Sequence, residues 1–258
     1  MAKSKEPKIY SLPTDGEVYY PESDGKPMAE TEPHRDLMID FIQILGDHFQ
    51  DRPDVHVSGN LMVYYEQGNP QKWVAPDVFV VFGVDKTKRN IYQLWKEGKG
   101  PDFVLEVSSK NTYRTDLTRK KRLYARVFGV SDYFLYDPNH LYLNPPLQGY
   151  RLTGGHYVPI APVGERLPSQ VLGLEVGFRP DGELGLYDPQ THAWLLTRKE
   201  RAQQEAYARR QAEARAEQAE ARAEHALAQA QQEALARQRA EVELAQALAE
   251  LQRLKYNN

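Results

Sequence analysis

No cysteine occurs among the 258 residues, which rules out a disulfide framework and any thiolate-held metal. An ion bound by this chain must sit on oxygen or imidazole. Also missing is any unbroken apolar run near the roughly 20 residues that a membrane helix needs, and the opening residues, Met1 to Pro7, are polar and charged, unlike an export signal. The expectation is a soluble, cytoplasmic protein with no membrane partner. Nor is there an excess of positive charge: 33 Lys and Arg stand against 36 Asp and Glu, a net charge of −3. The whole-chain balance therefore lacks the basic footprint of a tight, non-specific nucleic-acid binder. Beyond about Thr197, Gly and Pro vanish as well.

That last absence divides the chain. Residues 1–28 read as an irregular leader punctuated by Pro and Gly, 29–196 as a globular domain, and 197–258 as one Ala/Glu/Arg-rich helix. A hydrophobic content of 41% is enough for a sizeable core. Thr31 followed by Pro33 predicts a helix start, and Leu37, Phe41, Ile44, Leu45, His48 and Phe49 form its apolar stripe, ending before Pro53. Strands are expected over 55–66, 76–82 and 102–109, a helix over 114–128 ending at Gly129, and a strand over 132–136 closed by Asp137-Pro138. Short strand-like runs at 150–152, 156–160, 171–178 and 183–187, separated by Gly154-Gly155 and Pro180-Asp181-Gly182, predict a hairpin-rich β flank. The fold class is thus mixed α/β, with a central sheet flanked by helices.

Three ionisable residues interrupt this apolar framework. Residues 102–109 are apolar on both faces except at Glu106, and a carboxylate there is costly unless it is paired or binds metal. Strand alternation sets Val104, Glu106 and Ser108 on one face. Asp77 opens the neighbouring apolar strand, so two carboxylates converge at one rim, an oxygen-rich arrangement suited to Mg²⁺ or Mn²⁺. At about 100° per residue, Leu117, Lys120, Tyr124 and Val127 share a helix face with Phe128 close by, which sets Lys120 inside the apolar stripe and Lys121 at its edge. An inward lysine there could orient a metal-bound water or stabilise developing charge on phosphorus. A structural ion-pair network is the competing reading of the same three residues.

At these residues the sequence resembles the Uma2 family, endonuclease-like proteins of the PD-(D/E)XK restriction-endonuclease-like fold. The likeness rests on VAPDVFVV (74–81), GPDFVLEVSSKNTYRTDLTRKKRLYARVFGV (100–130), DYFLYDP (132–138) and LPSQVLGLEV (167–176), and extends from about Glu30 to Pro189. It implies a core in the order helix, three strands, helix, strand, with Asp77 and Glu106 as metal ligands and a catalytic lysine. In the wider fold that lysine stands two residues after the glutamate, where this chain has Ser108. The resemblance shifts the role to Lys120 on the following helix, with Ser108, Lys110, Glu30 and His34 in reserve.

The implied function is metal-dependent hydrolysis of phosphodiesters in nucleic acid, DNA before RNA. The alternative is a nuclease-fold binding module or scaffold of little or no activity that self-associates through its helix. Candidate nucleic-acid contacts are Lys86, Lys88 and Arg89 in one cluster, and Arg114, Arg119, Lys121, Arg122 and Arg126 in another, with Tyr92, Trp95 and Tyr113 nearby. A solvated charged face is the plain alternative for both. In the C-terminal helix, Ala212, Ala216, Ala219, Ala223, Ala226 and Ala230 alternate at spacings of four and three, and Leu244, Leu248 and Leu251 follow in a shifted register. A coiled coil over 200–254, giving a homodimer or other self-association, is expected; a single solvated Ala-rich helix is the alternative.

Overall fold

A computed structural model of the protein describes residues 18–23, 25 and 31–256; most of the expected leader, and Glu30, lie outside the described residues. Two compact units divide the chain, Met1–Arg198 and Lys199–Asn258. Helix α1, Glu32–His48, starts after Thr31, which is extended at φ −71° and ψ 152°, and carries Pro33 in its first turn. Its buried side chains are His34, Met38, Phe41, Ile44 and Leu45, so the apolar stripe begins one turn earlier than the sequence pattern suggests.

Strand β1 (Val55–Ser58) is followed by β2 (Val63–Tyr64), β3 (Trp73–Val74), β4 (Val78–Phe82), β5 (Tyr92–Gln93), the single turn α2 (Leu94–Glu97) and β6 (Phe103–Val107). After a helix spanning 113–128, here α3, come β7 (Asp132–Tyr136), β8 (Leu147–Thr153), β9 (His156–Pro159), β10 (Arg166–Ser169), β11 (Leu174–Phe178), β12 (Leu184–Asp188) and β13 (Ala193–Trp194). The main sheet has the order β1-β4-β6-β7-β8-β9, with β6 and β7 parallel and the other neighbours antiparallel. Two smaller sheets, β10-β11-β12-β13 and β3-β2-β5, complete the β structure. The fold is mixed α/β, as the sequence pattern implies.

Alternation along the central strands sorts the core into two layers. Val78, Val80, Phe103, Leu105, Val107 and Phe134 pack with the buried face of α1. Phe79, Val81, Val104, Tyr133 and Leu135 pack on the other side with Tyr124 and Phe128 of α3. Because β6 is buried along its whole length, any polar side chain it carries is held without water.

The expected strand over 55–66 proves to be two strands in different sheets. Gly59 and Asn60, the latter at φ 49°, turn the chain between them. A Cβ at Gly59 would lie 2.1 Å from the Asp77 carbonyl oxygen, so only glycine lets the chain pass this close to the start of β4. A second departure is β10, which no apolar run announced: Arg166 and Pro168 alternate with the buried Leu167 and Ser169.

The largest departure lies within α3. Two α-helical stretches, Tyr113–Thr115 and Lys121–Leu123, alternate with two π-helical ones, Asp116–Lys120 and Tyr124–Phe128. Four α-helical steps overshoot a full turn by about 40°, whereas the wider π turns undershoot it. Mixing them keeps Asp116, Lys120, Tyr124 and Phe128 on one inward line. Val127, which α periodicity assigns to the buried face, is 48% exposed, while Phe128 is 8% exposed.

Helix α4, Arg198–Tyr256, is continuous over 59 residues, roughly 90 Å at 1.5 Å per residue. Its described side chains are almost all exposed, Leu227, Leu235, Leu244, Leu248 and Leu251 among them. No helix among the described residues is long and apolar enough to cross a membrane.

Candidate active site

The antiparallel register of β4 and β6 pairs Val78 with Leu105, and one further step sets Asp77 opposite Glu106. The backbone N–H of Val107 donates to Asp77 Oδ2 at 2.7 Å, fixing the carboxylate against the neighbouring strand. His34 Nε2, from the first turn of α1, lies 3.6 Å from the same oxygen. Burial pushes the Asp77 carboxyl up, but His34, Lys120 and the Val107 N–H together hold it below the usual carboxylate value.

Glu106 is fully buried on the α3 side of the sheet. Its Oε2 accepts from Lys120 Nζ at 2.8 Å, and its Oε1 accepts from the Tyr124 hydroxyl at 2.5 Å. Burial drives its pKa up, Lys120 opposes, Asp77 and Asp116 add to the rise, and the carboxyl ends at about 8. Lys120 lies between two acids, 3.1 Å from Asp116 Oδ1 as well as 2.8 Å from Glu106. Burial lowers its pKa, yet Glu106, Asp116 and Asp77 outweigh that and keep the ammonium firmly charged.

Asp116 was not singled out from the sequence, although it is 1% exposed and central to the cluster. Its Oδ2 accepts from Ser108 Oγ at 3.0 Å, and its backbone carbonyl accepts from the Tyr133 hydroxyl at 2.9 Å. Ser108 thus anchors Asp116, which in turn holds Lys120. The available signal was the four-residue spacing of Asp116, Lys120, Tyr124 and Phe128, which sets each near its neighbour on one helix face.

The structure therefore brings Asp77, Glu106, Lys120, Ser108 and His34 together. Lys110 stands apart, exposed on the turn after β6. Among the candidate nucleic-acid contacts, Lys86 Nζ donates to the carbonyls of Phe49 and Gln50 at the end of α1, at 2.6 and 2.7 Å. Arg89 forms a two-point ion pair with Glu97 at 2.7 and 2.8 Å. Lys88 is exposed. Arg114 and Arg119 are exposed on α3, the former 5.5 Å from the Tyr113 ring centre, while the Lys121 ammonium sits 3.1 Å above the Tyr150 ring. Trp95 lies in α2 with its ring 5.2 Å from that of Tyr20.

Three carboxylates, one ammonium and one imidazole thus share a small buried volume. Among the described residues, no three His, Asp or Glu side chains close on one point as a full protein cage for a cation. Such a site would offer a cation one or two carboxylates and leave the other positions to water.

The family model described as "Uma2: Putative restriction endonuclease" matches residues 7–181, more than half of the chain. Among solved structures, the chain is similar to one titled as "a putative nuclease belonging to DUF820" from Anabaena variabilis ATCC 29413. The two share 16% identity at a TM-score of 0.43, over 57% of this chain and 76% of the other. No curated protein matches the chain.

Proposed function

The chain belongs to the Uma2 family, and from that membership we propose that it is a metal-dependent nuclease in which Asp77 and Glu106 hold a divalent cation, Mg²⁺ or Mn²⁺. The observation that supports this most directly is the juxtaposition of Asp77 and Glu106 across two central strands, with Lys120 bonded to one of them. The donor chemistry fits a hard cation: carboxyl oxygens, no thiolate, and three acidic side chains gathered around the single ammonium of Lys120. When bound, such an ion supplies positive charge at the scissile phosphate and an acidified water.

The residues of the chain supply the rest. Asp77 is oriented by the Val107 N–H, so its carboxylate is pre-positioned at the strand end. Asp116 and Glu106 grip Lys120 from two sides, leaving its remaining N–H to aim at the attacking water or at the phosphoryl oxygens. Hydrolysis forms one bond from water oxygen to phosphorus and breaks one P–O ester bond, and the displaced oxygen takes up a proton. Nucleic acid is the substrate class, with DNA the first to test.

A second reading has one observation in its favour: both oxygens of Glu106 are already engaged, by Lys120 and Tyr124. On that reading the domain binds without cutting and α4 recruits a second copy. The exposed leucines of α4 support self-association on either reading, and sedimentation velocity over a range of concentrations would show a monomer only if that idea is wrong.

Incubating the protein with labelled single- and double-stranded DNA and RNA in Mg²⁺ or Mn²⁺ separates the two readings. Cleavage that stops with a chelator, and that Asp77→Asn and Glu106→Gln each lower by at least about 100-fold, supports the nuclease. Equal product from wild type and variants, or none from any, removes it.

A further inference from the structure

We propose that the groove between α3 and the β8–β9 hairpin is a track for the phosphodiester backbone of nucleic acid, held by Arg122 and Arg126 with Lys121 and His156. The groove encloses about 350 Å³, and Thr118, Tyr157 and Gly155 complete much of its wall. No carboxylate lines it.

Charge sorting is the first argument. Many arginines of the globular unit are matched to acids, among them Arg89 to Glu97, Arg151 to Asp132, Arg166 to Glu175 and Arg198 to Asp47, whereas Arg114 and Arg119, on the same helix as the groove, have no acid partner among the described residues. Arg122 and Arg126 are exposed, and among the described residues neither forms an ion pair. A chain of net charge −3 thus concentrates exposed arginines without acid partners on α3, and two of them, Arg122 and Arg126, line this groove. Fixed positive potential in a concave wall attracts a polyanion far more than the same charges spread over a sphere.

Geometry is the second. Arg122 and Arg126 are four residues apart, so they stand in one row separated by about 6 Å along the helix axis, suited to successive phosphates. Lys121 is pinned at the groove wall, its ammonium 3.1 Å over the Tyr150 ring, so one cation is already in place. Tyr157 is fixed from below, its hydroxyl donating to the Val130 carbonyl at 2.9 Å. A ligand in the groove would meet a rigid wall rather than mobile side chains alone.

The placement of α3 gives the groove its meaning, and here the inference rests on the nuclease reading. Lys120 points inward to Glu106 while Lys121, Arg122 and Arg126 face the hairpin, so a backbone gripped on the outer flank is held at a set offset from the buried acids. The same rigid helix would position both the substrate and the catalytic ammonium.

The test separates this from cleavage by measuring binding with metal chelated. Fluorescence anisotropy of a labelled 20-nucleotide single strand and duplex is followed across a salt series. The wild type is compared with Arg122→Glu/Arg126→Glu, the milder Arg122→Gln/Arg126→Gln, and Lys72→Glu/Lys96→Glu as a charge-matched control elsewhere. Circular dichroism melts confirm folding. The groove variants should bind at least tenfold more weakly than the control, and the slope of log affinity against log salt should shrink by about one and a half to two. Groove variants that bind like the control, a wild type that binds no oligonucleotide, or equal affinity for polyglutamate would each overturn the proposal. A wild type that binds through the groove yet cleaves nothing would refute the nuclease and leave the groove standing.

Discussion

Lys120→Met is expected to lower cleavage by at least about 100-fold and to destabilise the globular unit by about 3 kcal/mol. Both effects have one origin. The ammonium is the countercharge for Glu106, which is fully buried, and for Asp116, which is 1% exposed. Methionine fills most of the volume but supplies neither charge nor hydrogen bond, so Glu106 and Asp116 lose their common partner in a medium that solvates neither acid. The catalytic loss follows because no other cation among the described residues makes an ion pair with Glu106. Lys110→Met is the comparison, since that side chain is exposed; near-wild-type cleavage and melting are expected there. If Lys120→Met cleaved as fast as wild type, the lysine would have no part in the chemistry, whatever its effect on stability.

Without divalent cation, stability is expected to fall as pH rises from about 5 to 8, and adding Mg²⁺ should recover most of the loss. The sign follows from Glu106, whose carboxyl is raised from 4.5 to about 8, first by burial and then by Asp77 and Asp116 against the opposing pull of Lys120. A group whose folded pKa is raised stabilises the fold fully below its unfolded value. That contribution is lost as pH climbs through the folded value, by at most about 1.4 kcal/mol per pH unit for one proton. Asp77 runs the other way, being held below its ordinary value, so its contribution is lost only in acid below the window considered, and His48 and His56, which burial holds below their ordinary value, oppose the fall only in the lower half of the window. A cation seated on the ionised carboxylates replaces the proton and stabilises the folded state by mass action. Thermal melts at pH 5.5 and 8.0, with and without Mg²⁺, read both effects. A pH-independent melting temperature, or a larger Mg²⁺ effect at pH 5.5 than at 8.0, would contradict this electrostatic picture.

Much of the framework could be read from local pattern because the local signals agree with the final packing. Thr31 and Pro33 mark the start of α1, the apolar run broken by Glu106 becomes β6, and Gly154-Gly155 turns the β8–β9 hairpin. What escaped was non-local or non-standard. β10 is short and mixed in polarity, and becomes a strand because Leu167 and Ser169 bury against β11 and the core. The 55–66 run is broken by Gly59 lodging against the Asp77 carbonyl, a contact between residues 18 apart that no window reveals.

The site shows the same division. Asp77 and Glu106 stood out because one opens and the other interrupts an apolar strand, and Lys120 because it interrupts an apolar helix face. Asp116 did not, because at 3.6 residues per turn it lies at the edge of the apolar stripe, about 40° from Lys120, where an Asp–Lys pair at that spacing reads as an ordinary surface pair; the π turns of α3 set it in line with Lys120 and Tyr124. The part played by Ser108 followed from the same cause: its partner could not be recognised until Asp116 was known to point inward.

The claim on which the rest depends is that Asp77 and Glu106 act as joint ligands of one divalent ion. Calorimetric titration of Mn²⁺ into the wild type and into Asp77→Asn and Glu106→Gln tests it without reference to any substrate. One carboxylate-dependent site per chain is expected in the wild type, weakened at least tenfold in each variant, with both variants still folded. A folded wild type that takes up no Mn²⁺, or variants that bind it as tightly as the wild type, would contradict it.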